Sequence, residues 1–363
     1  MQAHNYQLRK EALQEELHRY AWWISRKGQL FSKIAAPLGW KRSRIVRQWA
    51  GRPEGALAWP LGLGLLPLNT LSCDHDFWKH EAHHLLSNVL IQLESEPQLH
   101  VDRGGILYAA LRLHELGILS PNYLDRISSM VNKLTDRSGV KDGKIAYTEG
   151  RDEVLVDTLG MICPALARLS RLTNESSYED IAFRQIQAFH QNATDSETGW
   201  VWHAFNRKTG EPLGLPGWGR GVAWHFLALV DTTLEIKAEN RHSLLLQQAT
   251  ELKQKLSRIQ RTDGHWPCVL TDKNSHPDTS VTAMVAYGLA RLSTIETSTS
   301  EKDTNKCLRA ALAALDNTTD TNGRILMGSG EAYGIGDYST NFGAHLWNQG
   351  PAVAAEICAN ANL

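Results

Sequence analysis

The sequence predicts an all-α fold of the (α/α)6 toroid class, in which six helical hairpins close into a ring. Two observations carry the prediction. Apolar residues recur at three- and four-residue spacing through most of the chain, and alternating runs suited to strands are few and short. Five helix starts also set a polar residue beside small ones. They are Asp102-Arg-Gly-Gly, Asp157-Thr-Leu-Gly, Arg220-Gly-Val-Ala, Asp278-Thr-Ser-Val-Thr-Ala and Asn348-Gln-Gly-Pro-Ala, spaced by 55, 63, 58 and 70 residues. An open helical solenoid or bundle is the alternative that the same pattern allows.

The first periodic segment, 6–26, is charged and amphipathic. The longest apolar run, Gly55 to Leu68, reads as a helix over 55–71 broken by Pro60 and Pro67, too short to span a bilayer. Helices follow over 77–95, 102–117, 121–136, 153–173, 176–192, 219–237, 240–259, 278–295, 302–317 and 346–361. Between the small-residue helices lie more charged ones, such as 240–259 and 301–315, which suits an inner ring and an outer ring. The amino ends of the inner helices, with their polar residues, then meet on one face. Three short runs, 144–147, 200–205 and 265–270, read as strands in loop hairpins between helices. The polar stretch Thr294–Asp303 is too short to divide domains. Residues 53–363 are therefore expected to form one catalytic toroid. Residues 1–52 form an N-terminal helical extension that packs on or closes the barrel, or mediates self-association into an oligomer.

Composition narrows the function. The 38 basic and 39 acidic side chains nearly cancel, so no global field favours nucleic acid or an anionic membrane, and neither is expected as a partner. The local cluster Lys41-Arg42-Ser-Arg44-Ile-Val-Arg47 reads as a solvated helix face. Five scattered cysteines (Cys73, Cys163, Cys268, Cys307 and Cys358) show no CxxC or Cys/His metal spacing and read as free thiols in a reducing compartment. The amino terminus lacks the apolar core of a signal peptide, so a cytoplasmic protein is expected. His80 and His84 stand four apart beside His75 and His83, but no HExxH glutamate or third ligand accompanies them, and a solvated outer face is expected. No serine-hydrolase elbow, phosphate loop or dinucleotide fingerprint occurs. No cofactor or metal is expected.

The residues suited to chemistry gather at the helix starts. Gly217-Trp218-Gly219-Arg220-Gly221-Val222-Ala223-Trp224 sets two indoles and an arginine among glycines. The indoles offer flat apolar faces to a sugar ring, and the arginine a planar fork for a carboxylate. Asp102 and Asp157 suit helix capping and also supply the paired carboxylates of acid/base sugar chemistry. If the two lie close, repulsion and partial burial raise one pKa. Thr198-Gly-Trp200-Val-Trp202-His203-Ala-Phe205 places Trp200 and Trp202 on one strand face and His203 on the other. An acidic oligosaccharide is the partner these groups suit.

The runs Val156-Asp157-Thr-Leu-Gly, Tyr178-Glu-Asp-Ile-Ala, Thr198-Gly-Trp-Val-Trp-His203-Ala-Phe, Trp218-Gly-Arg-Gly-Val-Ala-Trp224 and Thr279-Ser-Val-Thr-Ala-Met-Val-Ala-Tyr287 resemble, in kind and order, the unsaturated glucuronyl and rhamnogalacturonyl hydrolases of glycoside hydrolase families 88 and 105. The resemblance spans about residues 53–361. It implies an (α/α)6 barrel that removes a 4,5-unsaturated uronic acid from the non-reducing end of oligosaccharides left by polysaccharide lyases. An aspartate protonates C4 of the vinyl ether, water adds at C5, and the hemiketal collapses. By this resemblance Asp157 is the catalytic acid, Asp102 the second active-site aspartate, and His203, Trp218, Arg220 and Trp224 bind substrate; Trp202, beside His203, is a further candidate for substrate binding. Two departures stand out: Val156 where relatives commonly have an aromatic, and Val222-Ala223 where they often have asparagine and glycine. The residues alone leave two alternatives: an inverting glycosidase on saturated acidic glycans using Asp102 and Asp157, or a non-catalytic glycan-binding or polysaccharide-assembly protein.

Overall fold

A computed structural model describes residues 2–25, 28–29, 53, 56–70, 76–97, 99–137, 144–296 and 301–361. Twelve α-helices fall among these residues: α1 (Gln2–Ile24), α2 (Ala58–Gly64), α3 (Asp76–Ser95), α4 (Gly104–Glu115), α5 (Tyr123–Arg137), α6 (Val156–Thr173), α7 (Ser176–Ala193), α8 (Gly219–Glu235), α9 (Glu239–Ile259), α10 (Thr279–Leu292), α11 (Glu301–Asn317) and α12 (Leu346–Ala361). The even-numbered helices pack each on the next, and α12 returns to α2, which closes an inner ring of six. The odd-numbered helices lie outside, and α1 packs across the junction of α12 and α2. This is the (α/α)6 toroid. Cys73, His75 and the basic cluster at 41–47 lie outside the described residues, as does most of 26–52.

Burial separates the two rings as the residue pattern demands. Nearly every residue of α8 is buried. Its neighbour α9 buries a single apolar stripe of Leu245, Ala249, Leu252 and Leu256, at the spacing of one helix face. His83 and His84 are exposed on the outer helix α3. The inner helices approach closely because glycines leave room. A Cβ on Gly104 would stand 2.3 Å from the main-chain oxygen of Met161, and one on Gly350 would stand 2.3 Å from that of Leu63.

At the carboxyl ends of the inner helices a buried polar network ties the ring together. Arg168 donates to Glu235 (2.6 Å), Asn69 (2.6 Å) and the main-chain oxygen of Tyr108 (3.0 Å), while Arg171 donates to Glu235. Asp231 accepts from Tyr287 and Arg291 beside it. Buried charges need such partners, since an unpaired one costs several kcal/mol.

The strands are short and placed differently from expectation. β1 (Glu153–Leu155) pairs antiparallel with β2 (Ala204–Asn206), which pairs with β3 (Pro212–Leu213), and β4 (Gly328–Ser329) pairs with β5 (Phe342–Gly343). Residues 153–155, read from periodicity as helix, form β1 because they pair with β2, so α6 begins only at Val156. The run at 144–147 forms no strand. The Ile145 main chain bonds instead to the amide of Gln185. Only the end of 200–205 enters a strand, and 265–270 makes isolated bridges, Trp218 to Val269 and Pro267 to Pro277.

Candidate active site

The polar helix starts do meet on one face. Asp157 and Arg220 are the second residues of α6 and α8, and Asp102 lies in the 3-10 turn before α4. Asp278 caps α10, accepting from the Ser280 amide (2.8 Å), and Asn348 lies in the first turn of α12. The sixth position belongs to Trp59 at the start of α2, where prolines obscure the repeat. Asp157, Arg220 and Trp59 share a cavity of about 530 Å³ with Met161, His203 and Trp218. Its outer wall comes from Tyr147, Thr148 and Arg151 in the loop before β1 with Glu153 at the start of β1 on one side, and from the loop Glu331 to Ile335 on the other.

The β1–β2 pairing sets the centre of the site. β1 delivers the chain to Asp157, and the Val156 amide donates to the main-chain oxygen of His203 at 2.8 Å. That bond fixes His203 beside the first turn of α6, with Nε2 3.5 Å from Asp157 Oδ2. Oδ2 is buried and accepts no hydrogen bond among the described residues, which leaves an unsatisfied acceptor facing a chamber. The His203 ring lies against Trp218, centroids 4.5 Å apart, and against Tyr338 at 5.5 Å.

Arg220 is buried, and its fork is closed on protein oxygens. Nη1 donates to the main-chain oxygen (2.8 Å) and hydroxyl (2.9 Å) of Ser329, and Nη2 to the main-chain oxygen of Gly330 (2.8 Å). Its guanidinium also faces the rings of Trp218, Trp59 and Trp347 at 5.2 to 5.9 Å. Burial pushes its pKa down, opposed by Asp278, Asp157 and Glu331. Arg220 thus lines the cavity while tying down the loop above it, which is neither a free fork nor a helix cap.

Asp102 differs from Asp157. It lines a separate, narrower cavity with Trp224, Tyr108 and Gly160, which adjoins the large one through Trp59 and Met161. His100 stands 3.0 Å from its Oδ1 and Arg103 donates to it at 2.7 Å. Burial pushes its carboxyl up, but His100 and Arg103 outweigh that and hold it below the ordinary value. Asp102 is therefore not a carboxyl raised by repulsion. Trp224 sits in that narrower cavity, edge-on to Trp59, and its buried indole N–H has no described partner. Trp202 does not line either cavity. It packs against the core, because its amide bonds back to Ala193 at 2.7 Å.

Sequence reasoning missed Tyr147, Arg151, Glu331 and Tyr338. Glu331 accepts from the Trp59 indole (3.2 Å) and the Ala56 amide. Burial, with the charges of Asp102, Asp157 and Glu331, pushes the Tyr147 phenol well up, so it stays a donor. These residues come from loops with no periodicity, and the one signal was the length of the segment 328–341.

The chain is 24% identical over 177 residues to an unsaturated rhamnogalacturonyl hydrolase of Bacillus subtilis (strain 168), and 28% identical over 145 residues to an unsaturated 3S-rhamnoglycuronyl hydrolase of Alteromonas sp. (strain LOR). These matches take in 48% and 37% of this chain, and the chain spans only 48% and 34% of those relatives' own lengths. In fold it is similar to a possible member of the GH105 family from Salmonella enterica serovar Paratyphi A (TM-score 0.72, 20% identity, 84% of this chain and 83% of that one). It is also similar in fold to the unsaturated glucuronyl hydrolase of Bacillus sp. GL1 (TM-score 0.66, 15% identity, 82% and 85%). The sequence pattern of Glycosyl Hydrolase Family 88 matches residues 74–357, which takes in α3 to α11, most of α12, and Asp157, His203, Trp218 and Arg220 though not Trp59, and the chain belongs to that family.

Proposed function

We propose that the protein removes a 4,5-unsaturated uronic acid from the non-reducing end of lyase-generated oligosaccharides. The observation that carries this reading is the unsatisfied Oδ2 of Asp157, buried at the floor of a sugar-sized chamber walled by indoles and an arginine. Asp157 gives its proton to C4 of the vinyl ether, and the electron pair of the double bond forms the new C–H bond. The resulting cation is shared by C5 and the ring oxygen. Water attacks C5 and returns a proton to the Asp157 carboxylate. The C5 hemiketal then opens to a ketone, and the hemiacetal left at C1 releases the remaining saccharide. Each step is proton transfer or hydration, for which one carboxyl group and one water suffice.

The other residues take supporting roles. Trp218 stacks on the planar ring, and Arg220 supplies positive charge to the uronate side of the chamber. Arg151, exposed on the opposite loop and without an ion-pair partner among the described residues, adds charge at the mouth. Asp102, held ionised by His100 and Arg103, keeps a fixed negative charge near the Tyr147 phenol, which helps to keep that phenol protonated. The place of Asp102 in a separate cavity from Asp157 supports the vinyl-ether route over a mechanism using the two aspartates as an inverting pair. The four described cysteines form no disulfides, in keeping with a cytoplasmic role after oligosaccharide uptake.

Unsaturated uronates absorb in the near ultraviolet, and hydration removes that absorbance. Incubation with lyase digests of pectin, glycosaminoglycan, ulvan and xanthan is expected to bleach at least one, with matching release of saccharide. Binding without bleaching in every digest would favour a non-catalytic glycan-binding protein.

A further inference from the structure

We propose that Tyr338 is a positioning residue that fixes the tautomer of His203, so that the imidazole presents Nε2–H to Asp157. A phenol has one proton to donate and two acceptor sites. The Leu215 amide donates to the Tyr338 oxygen at 3.1 Å, which takes one acceptor site of the phenol. His203 Nδ1 stands 3.2 Å from that oxygen. With one acceptor site taken by Leu215 and an unsatisfied carboxylate oxygen facing Nε2, the arrangement that serves both ring nitrogens sends the phenol hydrogen to Nδ1. In the neutral ring the remaining proton is then on Nε2, the atom 3.5 Å from Asp157 Oδ2.

The surroundings enforce the geometry. Gly214 has φ +87°, and a Cβ there would stand 2.7 Å from the His203 Cβ and 3.1 Å from the Tyr338 oxygen. Only glycine lets the chain pass so close and aim the next amide at the phenol. Trp218 lies against both rings, 4.5 Å from His203 and 4.9 Å from Tyr338. Burial pushes the Tyr338 phenol up to about 12, so it keeps its proton near neutrality.

The consequence rests on the function proposed above. An imidazole with a bare Nε2 would draw the proton from Asp157 and disarm the acid. With Nε2–H it cannot. Instead it meets the negative charge that appears on Asp157 as the proton moves to carbon. At 3.5 Å the contact is slack in the free protein and has room to tighten at that moment, which is where stabilisation speeds a reaction.

The test reads the tautomer directly and so does not depend on activity. Long-range proton–nitrogen correlation spectra of histidine-labelled protein, with His203 assigned by the loss of its signals in His203→Gln, are expected to show a protonated Nε2 and a bare Nδ1 at neutral pH. Tyr338→Phe is expected to mix the two tautomers. On a digest that the wild type bleaches, it should lower kcat by about tenfold or more with little change in KM. A Nδ1–H ring or an imidazolium in the wild type would overturn the proposal, whatever the enzyme is found to cleave. A pure Nε2–H ring retained in Tyr338→Phe would overturn the role of Tyr338 while leaving the function untouched.

Discussion

Arg220 on α8 donates through Nη1 to the main-chain oxygen of Ser329, 109 residues further along the chain, at 2.8 Å. That bond, with its companion to Gly330, anchors the loop that carries Glu331 and Tyr333 over the Asp157 chamber. One side chain therefore shapes both the wall and the roof of the site.

Lysine cannot reproduce that arrangement, because a point charge lacks the planar fork. Arg220→Lys is expected to lose about 1.5–3 kcal/mol of stability, the worth of hydrogen bonds to a charged group, and to lower kcat/KM on any accepted substrate. Melting temperature and kinetics measured on one preparation check this. A less stable variant with unchanged kcat/KM would confine Arg220 to holding the loop.

Asp102 gives a pH prediction with a defined sign. Its carboxyl is held below its ordinary value of 3.8 in the folded protein, so it binds fewer protons there than in the unfolded chain. Its contribution to stability is full above that value and is lost as pH falls through the lower folded value. Asp102→Asn should therefore flatten the loss of stability below about pH 4, read by thermal melts across an acid series. An unchanged slope would show that the contacts with His100 and Arg103 do not hold the carboxylate.

The buried pair of Arg168 and Glu235 lies far from the chamber, at the other end of the barrel. Glu235→Ala leaves the Arg168 charge unpaired in the interior and is expected to cost about 3–5 kcal/mol in urea unfolding. Activity per folded molecule should be retained. A cost below about 1 kcal/mol would mean that Asn69 and Tyr108 satisfy Arg168 without the carboxylate.

Gly104 tests the packing of the inner ring. The added methyl of Gly104→Ala would meet the main-chain oxygen of Met161 at 2.3 Å, and backbone cannot rotate away. Stability should fall by about 1–3 kcal/mol despite the better helix propensity of alanine. A more stable variant would show that α4 and α6 have slack between them.

The ring was legible because each helix carries its own periodicity. The long apolar run of α8, Val222 to Val230 broken only by His225, and the single stripe of α9 announce inner and outer positions without any long-range information. Asp157, Arg220 and His203 were legible because they flank helix starts or a glycine-rich run. Tyr147, Glu331 and Tyr338 were not, since their place depends on loops anchored by Arg220, Trp59 and His203. Trp202 is a candidate by its place beside His203, and strand alternation sets it on the opposite face from that ring. The strand begins only at Ala204, so alternation did not govern where Trp202 points.

The central claim is that Asp157 supplies the proton, and the decay of near-ultraviolet absorbance tests it most directly. Wild type and Asp157→Asn would be compared on the digest that the wild type bleaches fastest, with melting temperatures measured alongside. An amide keeps the shape of the side chain but has no acid proton to give. The account predicts an Asn variant that melts close to wild type and bleaches slower by about two to four orders of magnitude, the range of general acid–base catalysis. A folded Asn variant that bleaches at a near-normal rate would contradict it.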